Sequence, residues 1–214
     1  MANPTKAFGL SVVQKHGDSG LQATVNPYYM PSTDSSGPNF PGDPVKVSGT
    51  SNTVKIGASN YTGGAQGLPP GSLPTVTIAV AGATNVMIGP ISHVGYKAGG
   101  GGVLYRPDDT EAVVYVHDDP NLLYEVMADG AVAVTDVRAN ANLVAGAGGD
   151  TVFSRSSWAL ESSSIAAAQV TYQVNIHNVS KDPVRNDLAS SGTNAVLVVS
   201  INLHQHRSAP VVGF

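Results

Sequence analysis

The sequence predicts an all-β protein: an antiparallel β-barrel or sandwich, jelly-roll or β-tulip-like, with an extended N-terminal arm and little helix. Three observations lead there. The 214 residues include 24 glycines and 14 prolines, which suits many turns rather than long helices. Between the turn signals lie about ten short runs rich in Val, Ile, Leu and Tyr. One of them, 170–179 (VTYQVNIHNV), alternates apolar with polar, the period of a half-buried antiparallel strand.

Residues 1–42 differ from the rest and are expected to form the arm. Pro4, Pro27, Pro31, Pro38 and Pro41 interrupt every run, and Asn26-Pro27-Tyr28-Tyr29-Met30-Pro31 is an aromatic island between two prolines. Proline cannot donate to a ladder and holds its predecessor extended. Phe8, Tyr28, Tyr29 and Met30 are the expected anchors on a partner; the alternative is a loop-rich lid packed on its own domain. Residues 43–214 form the β-rich domain, with a possible subdivision near 146–156.

The domain opens with 45–49 (VKVSG), whose apolar residues alternate, and 53–56 continues that edge. A long Gly/Pro connection, 60–74, follows; loops of this length are usually functional. Strands are expected at 75–80 and 86–93, with a turn at 82–85, and a short one at 103–105 after four consecutive glycines. The chain is then organised around 108–135. Runs 112–116 and 122–127 flank His117-Asp118-Asp119-Pro120-Asn121, and Asp129-Gly130 precedes a third run, 131–135. Asp, Asn and Pro favour turns, and Gly accepts the positive φ of a tight hairpin, so the stretch predicts a three-stranded meander. Residues 137–145 are the best short helix candidate, and 156–168 is Ser/Ala-rich with Trp158 and Leu160 packed. After strand 170–179 comes a polar loop, 181–192. The last strand, 194–205, starts continuously apolar and is therefore central; 207–214 is a loose tail.

Charged residues are only 12% of the chain, about half the usual share, while hydrophobic residues are 42%. Such a chain is not disordered. Its surface is either neutral or covered by neighbours. Eleven Lys and Arg spread thinly, with a net charge of −4, give no basic patch for nucleic acid. There is no cysteine, hence no disulfide framework or thiolate metal site. MANPTKAFGL lacks the apolar core of a secretory signal, and no run approaches a membrane helix, so a soluble product of the cytoplasm is expected.

Few residues point to chemistry. His204 and His206, two apart on a strand, share one face and suit a metal, with His177 a third ligand if the last two long strands pair. The bland reading places them as polar residues beside Asn202, and no cofactor or metal is expected. Asp108, Asp109 and Glu111, with Asp118 and Asp119, lack the loop of a calcium site and read as turn carboxylates. No G-x-S-x-G elbow or phosphate loop occurs, so no catalytic residue is assigned and an enzyme is not expected.

Met1–Leu10 (MANPTKAFGL), Asn26-Pro27-Tyr28-Tyr29 and Gly42-Asp43-Pro44-Val45 resemble the start of small structural proteins of tailed bacteriophages. Leu104-Tyr105-Arg106-Pro107, Leu123-Tyr124-Glu125-Val126, Ala128-Asp129-Gly130 and the closing Asn202-Leu203-His204-Gln205-His206-Arg207 are similar to the same group. The resemblance implies a virion protein made in the host cytoplasm, a head decoration (cement) protein on the outer capsid surface. Such proteins are typically β-rich and oligomeric, often trimeric, and bind where major capsid subunits meet. By that analogy the partners are the major capsid protein and the chain itself, as a homotrimer, with Phe8, Tyr28, Tyr29 and Met30 as contacts and neither nucleic acid nor membrane involved. The alternatives are a tail or fibre part, or a surface carbohydrate-binding module.

Overall fold

Strands form where β-branched and aromatic residues lie between turn signals, and tertiary pairing then sorts them into two bodies. A computed structural model describes residues 5–16, 23–34, 36–53, 55–56, 67–97, 104–181 and 192–207, without the side chains of 96 and 97. In chain order the strands are β1 (Ser11–Lys15), β2 (Asn26–Met30), β3 (Pro44–Ser51), β4 (Pro74–Ile78), β5 (Gly89–Lys97), β6 (Ala112–Val116), β7 (Leu122–Met127), β8 (Asn140–Ala141), β9 (Leu143–Val144), β10 (Ala159–Leu160), β11 (Val174–Val179) and β12 (Val196–Ile201). The only helical pieces among the described residues are 3-10 turns at Val134–Asp136 and Ser162–Ser164. The all-β class holds.

Strands β2, β4, β3, β5 and β6 close a barrel in that order. Its pairs are antiparallel except β2 with β4, which run parallel where Tyr29 faces Thr75. Tyr28, Met30, Val45, Val76, Ile88, Ile91, Ala112, Val114 and Val116 fill the interior. Val113 points the other way, into a second cluster with Tyr29, Ile56 and Leu73. Both faces of β6 are thus covered, which is why AVVYV shows no alternation.

The second body is an antiparallel sheet ordered β1-β7-β12-β11-β8. One face packs Leu122, Tyr124, Val126, Val174, Ile176, Leu197, Val199 and Ile201 against Leu10, Leu143, Trp158 and Leu160. β12 lies between β7 and β11 with all six residues buried, the central place its apolar run predicts. Strands β1 and β7 are neighbours, and the His16 N–H donates to the Asn121 carbonyl at 2.7 Å. The barrel is therefore an insertion between two adjacent strands of the sheet. The turn after β12 joins the two bodies: Met87 bonds through its N–H to the Leu203 carbonyl (3.0 Å) and accepts the Gln205 N–H (2.9 Å).

Several expectations are corrected. The described residues of 1–42 do not form a free arm, because β1 completes the sheet and β2 closes the barrel. Pro27 is tolerated because it lies near the start of β2, which meets β4 only at Tyr29. The meander is absent. β6 pairs with β2 and β5, β7 pairs with β1 and β12, and 117–121 crosses between the bodies instead of turning a hairpin. Residues 131–135 form no strand. Gly130 does not adopt positive φ; Asp129 instead accepts the Ser162 N–H at 2.8 Å. The helix expected at 137–145 is replaced by β8 and β9, and no boundary falls at 146–156, since β9 pairs with β10 across it. Leu104 and Tyr105 form a bend rather than a strand. The polyglycine stretch, residues 60–66 of the 60–74 loop, 182–191 of the 181–192 loop and the tail from 208 lie outside the described residues.

Candidate interaction surface

Three of the four expected anchors belong to the protein's own interior. Tyr28 and Tyr29 are each 6% exposed and Met30 is fully buried. The alternation of β2 sends Tyr28 and Met30 into the barrel and Tyr29 outside it, against Ile56, Leu73 and Val113. Their hydroxyls are satisfied within the chain: Tyr28 donates to Asp118 at 2.7 Å and Tyr29 to Glu111 at 3.1 Å. Burial, with the Glu111 bond adding, pushes the Tyr29 phenol up to about 12. Only Phe8 stays at the surface, half-buried in the wall of a groove.

The chemistry-bearing sets are dispersed. β11 and β12 do pair, but Val174 faces Ile201, so His177 lies opposite Val198 and Val199 while His204 sits beyond the end of the ladder. His204 is buried, its Nδ1 accepting the His206 N–H at 3.0 Å. No group of three or more metal-ligating side chains forms among the described residues. Asp118 takes both Asn26 and Tyr28, and Asp119 pairs with Lys15 at 2.8 Å, so neither is arranged around an ion. His177 Nε2 lies 2.9 Å from Ser200 Oγ. Burial holds the imidazole down at about 4, with His16, Arg138 and Arg207 adding. Those neighbours are cationic or neutral, the reverse of the carboxylate that orients a catalytic histidine.

The surface instead carries a braced tongue. Asp150 and Arg155 bond each other reciprocally through the main chain at 2.8 and 3.0 Å and enclose a four-residue turn. Asp150 Oδ1 accepts the Val152 and Phe153 N–H groups (3.0 and 3.2 Å) and its Oδ2 meets Lys6 Nζ at 3.3 Å. The Phe153 N–H is the main reason the Asp150 carboxyl is held below its usual range, with Val152 and Lys6 helping. With its backbone fixed, the tip displays Val152 and Phe153 at 81% and 72% exposure. They are the only two consecutive large apolar residues so displayed among the described residues.

Behind the tip runs a groove of about 310 Å³ lined by Phe8, Leu10, Val12, Pro41, His117 and Phe153. It follows β1, the edge strand on that side of the sheet. On the tongue's other side a cleft of about 440 Å³ is bordered by Lys6, Gly149, Thr151, Arg155 and Ser157. A preorganised apolar knob beside a groove of mixed lining, with Ser11, Ser92, Ser154 and Arg155 among the apolar residues, can dock on another protein. Sequence reading missed the tongue because Val152 and Phe153 have no periodicity. The available signal was Gly-Gly-Asp-Thr followed by two apolar residues and Ser-Arg, an Asx-type turn with an apolar tip.

No protein-family model, no curated protein and no solved structure matches the chain.

Proposed function

We propose that the chain is a non-enzymatic head decoration (cement) protein of a tailed bacteriophage. It binds the outer capsid surface, made of major capsid protein, as a homo-oligomer (a homotrimer by analogy), and stiffens the shell against the pressure of packaged DNA. The proposal starts from the sequence resemblance and from the low charge. The structural observation that carries it is the braced Val152–Phe153 tip beside the groove at β1. Burying two such side chains in a seam between subunits contributes on the order of 3–6 kcal/mol before the cost of association. Repetition around a symmetry axis multiplies a modest contact into firm attachment. The carbohydrate-module alternative draws no support from Trp158, which is buried and supplies no sugar-stacking platform.

The test is cosedimentation of the purified chain with expanded capsids that lack it, together with its solution mass. Saturable binding in a fixed ratio is expected, and Val152→Ser with Phe153→Ser is expected to abolish it while leaving the melting temperature unchanged. Failure of the wild-type chain to bind capsids overturns the reading and directs attention to tail and fibre assemblies.

A further inference from the structure

Beneath the tongue, three segments meet at one buried carboxyl. Asp43 is 5% exposed. Its Oδ2 accepts the Phe40 N–H at 2.7 Å, and its carboxyl also takes the Ser156 hydroxyl. Ser156 directly follows the residue that closes the tongue, and its Oγ accepts the Trp158 N–H at 3.1 Å. The N-terminal segment is wedged into the same knot. Gly9 donates to the Trp158 carbonyl (3.1 Å) and Leu10 to the Gly42 carbonyl (2.9 Å). A Cβ on Gly9 would lie 2.3 Å from the Gly42 oxygen and 2.5 Å from Ser156 Oγ, with φ at +73°, so only glycine fits.

Among the described residues no cation pairs with this carboxyl. The charged and titratable groups on the elements around it are Lys6 on the N-terminal segment, Asp150 and Arg155 on the tongue, and His117 at the barrel end. Lys6 is engaged with Asp150, and the environment of Asp43 is set by burial, Ser156 and Phe40. A cavity of about 180 Å³, lined by Asp43, Phe40, Gly149, Ser157 and Trp158, adjoins it and offers water a way in.

We propose that Asp43 is a proton-operated latch for the tongue: protonated, it keeps the knot of Gly9, Gly42 and Ser156 closed; ionised, it draws in water and frees the tongue base and the N-terminal segment. This regulation rests on the reading of the tongue as the docking element. A protonated carboxyl, its proton taken from solvent, keeps an oxygen for Phe40 while losing the charge that burial penalises. Burial pushes the group up to about 6, so the change falls between mildly acidic and neutral conditions.

The experiment is amide hydrogen exchange of the full chain from roughly pH 5 to 8, corrected for intrinsic rates, with an NMR titration of the Asp43 carboxyl. Protection at 9–10 and 150–158 is expected to fall about tenfold or more as pH rises through the Asp43 titration, and to stay flat in Asp43→Asn. Ser156→Ala, which removes a bond to the ionised form, is expected to move the midpoint upward, and serves if Asp43→Asn folds poorly. Identical pH profiles in the wild type and Asp43→Asn, or a carboxyl titrating at an ordinary value, overturn the latch. Capsid binding is read separately: a pH step in a chain that never binds capsids defeats the docking reading alone, and pH-independent exchange in a chain that binds defeats the latch alone.

Discussion

The side-chain amide of Gln205 bonds both main-chain groups of Val47, accepting the N–H at 2.7 Å and donating to the carbonyl at 3.3 Å, across 158 residues of sequence. Glutamine here imitates a neighbouring strand, and with Met87 it ties the barrel to the sheet. Gln205→Ala is expected to cost about 1–2 kcal/mol, because two partly buried backbone groups lose their partner. Urea unfolding measures this, and an unchanged midpoint would mean that water substitutes at no cost.

Arg106 is a buried cation held almost wholly by carbonyls. Nε donates to Thr110 at 2.6 Å, Nη2 to Pro31 and Asp34 at 2.8 and 2.9 Å, and Nη1 to the Asn39 side chain. The planar fork holds Pro31, Asp34 and Asn39 together, and lysine cannot reach four acceptors from one nitrogen. Arg106→Lys is expected to destabilise by about 3 kcal/mol, since each acceptor stranded in the interior costs on the order of 1 kcal/mol or more. A thermal melt within a degree or two of wild type would contradict this.

Gly130 is needed for closeness, not for backbone conformation. A Cβ there would lie 2.4 Å from Ser162 Oγ, which can shift or be removed. Gly130→Ala is expected to lose about 1–2 kcal/mol, largely recovered in combination with Ser162→Ala. A double mutant no better than the single one would place the strain in the backbone.

Two opposed linkages govern stability in acid. The Asp43 carboxyl, raised by burial from 3.8 to about 6, gives stability that is fully present below about pH 4 and lost as pH rises through 6. The difference amounts to about 3 kcal/mol. His177 and His204 are each lowered by burial from 6.5 to about 4, so their contribution is present above pH 6.5 and lost as pH falls toward 4. The wild-type profile is expected to be shallow across this range. Asp43→Asn should expose a steep acid loss, and His204→Asn, which keeps an acceptor for the His206 N–H, should relieve part of it. Denaturant titrations at several pH values decide the matter; parallel profiles for all three proteins would rule it out.

The β class was legible because Gly and Pro cut the chain into pieces too short for helices, and the burial of 196–201 on both faces left a continuous apolar run. Pairing was less legible. Turn residues at 117–121 signal a reversal, but they do not say that the chain is leaving a barrel for a sheet. In 1–42 the prolines concealed two strands, since a strand near its start can spare the proline N–H. Aromatic residues between prolines suggest display, yet Tyr28 and Tyr29 are drawn inward because Asp118 and Glu111, more than eighty positions away, satisfy their hydroxyls. Phe8 was legible as a surface residue; the Val152–Phe153 tip was not, because its display depends on one carboxylate bracing a turn.

The nesting of the barrel between β1 and β7 has a mechanical corollary. The chain departs from the sheet at Lys15 and re-enters it at Leu122, and these two residues face each other. Tension that pulls the barrel away loads both strands at the same end, so they peel apart one rung at a time rather than shearing together. The C-terminal seam at Met87, Leu203 and Gln205 shares that load with the Gln173 amide on Val80 and Asn85 and with the Leu10–Gly42 bond, so the paired strands beneath feel only what these ties let through.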